Sequence, residues 1–330
     1  MRKTILSIIA FMASISTMSA INNNTVEIVY DGDSAKITIA SNISSYVTVL
    51  SGNSSHVKIT QAAEFEGVGI TASNTTGEIT YVLSGTSTNG EFFIEGAFKQ
   101  TIELNALTLT NPNGPAINIQ NGKRTTISVR KGTINTLADG VDEEYNGCLH
   151  CKGHLKMKGK GTLNLTGNNK HGLYSKEYLE VKNCSINISS AVKDAIHCKQ
   201  YFLMESGAIT ISGAGDDGLQ VELEGTTSTG TLADHEDEDS GNFYMEDGTL
   251  TISGYQGYAI KADGTINFEG GTQNFDKSAT LVSAGIENVN AEIASGRSTV
   301  FDFSGRATNV FRKGLYIRKS DGQTRKIIVK

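Results

Sequence analysis

Several groups of side chains in this sequence could do chemistry. Asp194, Asp216 and Asp217, with Glu222 close behind, offer the hard oxygen donors that Ca2+ prefers. Lys152, Lys176 and Lys199 could meet the carboxylates of a polyanion, and Lys176 or Lys199 could serve as a base beside a metal. His150, Tyr174 and His197 supply rings, and Tyr174 has a flat face on which a sugar could stack. Cys148-x-x-Cys151, with His150 and His154 nearby, has a spacing that zinc could use. The run Asp234-His-Glu-Asp-Glu-Asp239 is a second cation candidate, or simply a solvated loop.

Which of these groups can act together depends on the elements that carry them. Five short segments repeat: Leu149-His-Cys-Lys, Leu173-Tyr-Ser-Lys, Ile196-His-Cys-Lys, Leu219-Gln-Val-Glu and Ile260-Lys-Ala-Asp. Their steps are 24, 23, 23 and 41 residues, so about 18 residues are inserted in the last, mostly within 223–241. Upstream, residues 117–140 make a unit of 24 before an insertion at 141–148, and 93–116 make a weaker one. Within each unit apolar residues alternate with period two, as in Gly161-Thr-Leu-Asn-Leu-Thr and Cys184-Ser-Ile-Asn-Ile-Ser. Units of this length with two or three strands fit one coil of a right-handed parallel β-helix. A left-handed hexapeptide helix needs multiples of six, and the Leu and Asn spacing of leucine-rich repeats is missing. Coils from about 68 to 276 should stack into one domain.

Stacking sets equivalent positions of adjacent coils roughly 4.8 Å apart, so the alignment maps the surface. The first and third positions of each segment point inward. Cys151 and Cys198 thus share a core column two coils apart, about 9–10 Å, too far for a disulfide. Cys148, beside an insertion, could reach a partner. The second and fourth positions point outward. They give one column of His150, Tyr174, His197, Gln220 and Lys261, and another of Lys152, Lys176, Lys199, Glu222 and Asp263. A third column is Gly147, His171, Asp194, Asp217 and Tyr258. Stacked lysines repel one another, which an anionic partner would relieve. The alternative for this edge is a solvated, charged face.

Composition agrees with an all-β chain: 36 Gly, 2 Pro and no Trp in 330 residues. Arg2 and Lys3 followed by an apolar run over 5–13 and small residues at 16–20 read as a signal peptide over 1–20. No later segment is apolar enough for a membrane helix. The net charge of −6 hides a +7 tail over 297–330, leaving −15 for 21–296. That acidic body argues against nucleic acid as partner and suits divalent cations. The expected division is a leader at 1–20, an N-terminal β cap at 21–67, a β-helix at 68–285 and a C-terminal β unit at 286–330, in a monomer.

Gly161-Thr-Leu-Asn-Leu-Thr-Gly followed by His171-Gly-Leu-Tyr-Ser-Lys-Glu-Tyr-Leu-Glu-Val resembles the GTLTVTG…DGIxSKDDLTI coils of a bacterial carbohydrate-binding β-helix family. Its clostridial members are similar to pectate lyases in fold and bind cellulose and polygalacturonate, with calcium sites. Tyr81-Val-Leu-Ser-Gly, Leu107-Thr-Leu-Thr-Asn, Gly114-Pro-Ala-Ile and Gly132-Thr-Ile-Asn-Thr-Leu-Ala-Asp-Gly extend the resemblance over about 60–285. The family's Asp-Gly signature stands at Asp139-Gly140 and Asp216-Asp217-Gly218. His171-Gly172 and Asp194-Ala195 depart from it, so the resemblance carries no calcium site to those two levels. Val300-Phe-Asp-Phe-Ser-Gly-Arg306, Lys313-Gly-Leu-Tyr-Ile-Arg and Lys326-Ile-Ile-Val-Lys330 are similar to the C-terminal sorting domain of Bacteroidetes secreted proteins. That similarity implies export by the type IX system, to the cell surface or beyond, with Ser320-Asp321-Gly322 as the turn of a small antiparallel unit.

Three functions follow as expectations. The first is a non-catalytic, calcium-dependent binder of an acidic polysaccharide such as pectate. The second is a lyase using Lys176 or Lys199. The third is a structural or adhesive surface protein. Absence of Trp weakens flat cellulose stacking and favours an ionised polymer.

Overall fold

The alternating segments become short parallel strands, three to each turn of the chain, in a computed structural model that describes residues 21–65, 78–225, 238–277, 281–283, 298–301, 314–320 and 323–329. One turn runs through Ile196–Lys199, Tyr201–Met204 and Ala208–Ile211 before the next begins at Leu219–Glu222. Strands stay this short because each must end at a corner. At two corners of the helix a single non-glycine residue takes the left-handed conformation, Asn183 at φ 65° and Gln200 at φ 62°. Gln200 is held there in part by its side chain, whose Oε1 accepts the Tyr178 N–H at 3.2 Å.

The strands assemble into a parallel β-helix with three faces. One is a sheet of ten strands, from Val47–Val49 through Gly147–Cys151, His171–Ser175, Ile196–Lys199 and Leu219–Glu222 to Leu281–Ser283. The other two faces join into one larger sheet through the long strand Gln100–Thr110. Its first half pairs with Thr125–Val129 and its second half with Ile134–Ala138. Leu149, Leu173, Ile196, Leu219 and Ile260 lie in register on successive strands, as the repeat predicts. Ile117 and Leu281 extend that column at either end. Leu149, Leu173, Ile196, Leu219 and Ile260 are all fully buried, and each such side chain is worth about 1.5–3 kcal/mol of hydrophobic stabilisation.

All four cysteines are free and buried, so Cys148, Cys151, Cys184 and Cys198 act as core residues. With Cys148 and Cys151 inside the helix, the zinc spacing of that segment has no shared face on which to work.

The parallel ladders begin earlier than residue 68. Thr25–Asp31 pairs parallel with Ile79–Ser87, and His56–Gln61 pairs parallel with Glu91–Gly96. The segment expected as a cap therefore supplies the first rungs of both sheets. It also closes their edges with the antiparallel partners Ser34–Ile39 and Val47–Val49. Near the C-terminus, Ser298–Phe301, Gly314–Ser320 and Gln323–Val329 form an antiparallel sheet. Residues 1–20, expected as a leader, Asp321 and Gly322 of the expected turn, and 234–237 of the acidic run lie outside the described residues. Among the described residues, no helix is long and apolar enough to cross a membrane.

Candidate functional site

The ten-stranded sheet carries the expected columns on its outer face. His150, Tyr174, His197 and Gln220 lie in register, but they are buried rather than solvated, each about 8% exposed. Two insertions contribute residues to this face. From the first, Tyr145 packs edge-on against His150 with ring centroids 5.2 Å apart, and the Asn146 N–H donates to His150 Nδ1 at 3.2 Å. From the second, Glu224 reaches back over the lysine column. Between these ends the rings stack: His150 on Tyr174 at 5.1 Å, Tyr174 on His197 at 5.4 Å, and His171 on Tyr174 at 5.8 Å. Tyr174, expected as a sugar platform, is therefore sandwiched, with both ring faces taken by imidazoles. His197, expected as a ligand contact, is likewise enclosed.

Burial sets the ionisation of this layer. It pushes His150 down to about 4, with the Lys170 charge adding to the effect. It pushes His171 down to about 4 as well, helped by His197. His197 moves the other way. Burial alone would lower it, but hydrogen bonds to Asp194 and Glu222 outweigh that and hold it above its usual value.

At the N-terminal ends of the same strands, Asp194, Asp216 and Asp217 present carboxylate oxygens that all lie within 4.8 Å of one another. Asp194 and Asp217 are 2% and 1% exposed, while Asp216 is exposed. Backbone groups fix the buried pair. The Asp217 N–H donates to Asp194 Oδ1 at 3.0 Å, and the Tyr258 N–H donates to Asp217 Oδ1 at 2.7 Å. Asp217 Oδ2 is buried without a hydrogen bond, and Lys261 Nζ stands 3.5 Å from it. Burial and the neighbouring carboxylates Asp194 and Asp216 raise the Asp217 pKa. Gly257 makes the room: a Cβ there would fall 2.3 Å from Asp217 Oδ1 and 2.8 Å from Asp216 Oδ1.

Glu222 does not join this group. Its Oε2 lies 3.4 Å from His197 Nε2, and its Oε1 accepts the Gln220 Nε2 at 2.6 Å. The imidazole draws it away from the aspartates and lowers its pKa. At the C-terminal ends of the strands, Lys176 and Lys199 both approach the Glu224 carboxylate, at 3.5 and 3.3 Å. Burial tends to lower the Lys199 pKa, but Glu224 outweighs it and the net shift is upward. Lys152 is exposed.

The structure thus brings Asp194, Asp216 and Asp217 together, and separately Lys176 with Lys199. Glu224 and Gly257 escape sequence reasoning, because one lies inside an insertion and the other matters only by leaving space. His171 reads in sequence as an interruption of the acidic column, yet its Nδ1 lies 3.4 Å from Asp194 Oδ2. Of the Asp-Gly signatures, Asp139-Gly140 serves a turn. The Asp139 Oδ1 accepts the Asn168 N–H at 2.5 Å, and a Cβ on Gly140 would fall 1.8 Å from the Pro112 carbonyl oxygen.

A family model described as carbohydrate-binding domain-containing protein matches residues 64–301. A solved structure of a polysaccharide lyase-like protein from C. thermocellum, a gadolinium derivative, superposes with a TM-score of 0.55 at 21% identity. It covers 78% of this chain and 98% of that one, and at such identity it shows the shared fold. No curated protein matches the chain.

Proposed function

Because this chain belongs to the carbohydrate-binding domain-containing protein family, we propose that it is an exported, non-catalytic binding protein for an acidic polysaccharide of the pectate or polygalacturonate type. Ca2+ bridges the polymer's carboxylates to Asp194, Asp216 and Asp217, and Lys152, Lys176 and Lys199 meet further carboxylates along the same face. The observation that carries this reading is the convergence of three carboxylates within 4.8 Å, one of them holding a buried oxygen with no hydrogen bond. Hard oxygen donors of this kind suit Ca2+. From Asp194 to Lys199 the strand extends roughly 16 Å at about 3.3 Å per residue. Several linked sugar rings cover that distance and a monosaccharide does not. The leader over 1–20 and the C-terminal tail support export.

A lyase needs a base able to take a proton near neutral pH. Lys199 is a poor one, since Glu224 holds it charged. The test passes mature protein over immobilised polygalacturonate with chelator, then with CaCl2 alone restored. The expected result is retention that chelation abolishes, Ca2+ restores and Asp216→Asn weakens, with no unsaturated product in the ultraviolet. A rise in absorbance overturns the reading in favour of the lyase. Failure to bind any acidic glycan leaves the structural or adhesive role.

A further inference from the structure

Next to the aspartates lies a second cluster of different chemistry. His171 Nδ1 and His197 Nδ1 both face one oxygen, Asp194 Oδ2, at 3.4 and 2.9 Å. All three residues are buried, and the two imidazole centroids are 4.6 Å apart. A single proton between His197 and Asp194 satisfies the shorter contact. Nothing satisfies His171 Nδ1, which is buried without a hydrogen-bond partner in a residue only 7% exposed. A nitrogen lone pair and a carboxylate oxygen left facing each other are destabilising unless a proton or a metal ion stands between them, and at 3.4 Å the contact is long for a proton-mediated bond. Donors bound at about 2.0–2.2 Å around one tetrahedral ion lie about 3.4 Å apart, so the three atoms need little movement to share one.

We propose that His171, Asp194 and His197 form a site for a borderline divalent ion of the Zn2+ type, different in chemistry from the carboxylate cluster with which it shares Asp194. Imidazole donors favour Zn2+ and its neighbours over Ca2+, which takes oxygen. The surroundings of His197 are those of a metal ligand: with Nδ1 toward the ion, its Nε2–H points to Glu222 Oε2 at 3.4 Å. Glu222 is in turn fixed by Gln220. Carboxylates in this outer position orient ligating histidines and raise their basicity. This gives Glu222 a role as a positioning residue that its separation from the aspartates otherwise leaves unexplained. Three protein donors leave a fourth position for water or an anionic oxygen, and the site ties the 171 coil to the 194–197 coil. This inference does not rest on the glycan reading, and its test reads metal alone.

The experiment titrates metal-free, full-length mature protein with ZnCl2 by calorimetry and with CoCl2 by visible absorption. The expected result is about one tight Zn2+ per chain, and cobalt bands of low coordination number that Zn2+ bleaches. His171→Gln and His197→Gln should abolish the bands. Glu222→Gln should weaken Zn2+ by roughly ten- to a hundredfold while keeping them. The melting temperature of each metal-free variant checks folding, and the wild type should melt higher with Zn2+ than with equal Ca2+, a reading that needs no variant. No Zn2+ uptake, or no Zn2+-specific rise in melting temperature, overturns the proposal. So does a loss of Zn2+ affinity in Asp216→Asn that His171→Gln does not share, which would place the ion among the aspartates.

Discussion

His150 shows what burial does to a residue that the repeat places on the outside of the helix. Its imidazole stacks on Tyr174 and accepts the Asn146 N–H, so protonation would strand a charge in a covered layer beside Lys170. Its folded pKa of about 4 lies below the ordinary value of 6.5, so between those two values the unfolded chain binds more protons. Stability contributed by neutral His150 is therefore complete above pH 6.5 and falls as pH drops toward 4. Asp139, raised by burial to about 6, works in the opposite direction, so whole-protein curves mix the two. A difference measurement separates them. His150→Gln should be less stable than wild type at pH 7, and the gap should narrow by on the order of 3 kcal/mol by pH 4 in chemical denaturation. A gap independent of pH would show that His150 titrates normally in the fold. At Gly257 the issue is space rather than charge. Gly257→Ala drives a methyl group into Asp217 Oδ1, which Tyr258 holds in place, and should cost about 1–3 kcal/mol in a thermal melt.

Among the elements, the strands supply stability and carry the site, and the insertions modify its face. Leu173 sits mid-column on His171–Ser175 between Leu149 and Ile196, fully buried. Leu173→Ala should cost about 2–5 kcal/mol by urea denaturation, since neighbouring rungs cannot close the cavity without breaking register. The insertion after Leu219–Glu222 contributes Glu224, whose carboxylate occupies the place between Lys176 and Lys199 that the proposal gives to a polymer carboxylate. A partly exposed pair contributes little to stability, about 0–1 kcal/mol. Glu224→Gln should therefore leave the melting temperature almost unchanged and raise retention on polygalacturonate at a given salt concentration. Unchanged or weaker retention would remove Lys176 and Lys199 from the polymer-binding face.

For the whole molecule, a stack of coils must end somewhere, and each end exposes unpaired backbone that invites another chain. At the N-terminal end, Thr25–Asp31 lies on Ile79–Ser87, and the antiparallel Ser34–Ile39 lies on Thr25–Asp31 in turn. Deleting residues 21–41 strips both strands from Ile79–Ser87. The expected outcome is association on size-exclusion chromatography, with far-ultraviolet dichroism still that of a β protein. A monodisperse truncated monomer would show that the edge is protected by other means.

The amino-acid sequence alone determined the lattice. Side chains alternate with period two and coils stack at a fixed spacing, so steps of 24, 23 and 23 residues assign inward and outward positions and place Cys151 and Cys198 in the core. It also located most of the insertion in the polar stretch 223–241, which falls between the strands Leu219–Glu222 and Asn242–Met245. Only the tertiary structure decided what the outward columns face. Tyr145, Asn146 and Glu224 come from segments outside the repeat, and no periodicity records that they fold back to bury the rings or occupy the lysines. The same holds for Glu222 and His171. Register put both on the right edge, but rotamers and local charge turned Glu222 toward His197 and His171 toward Asp194.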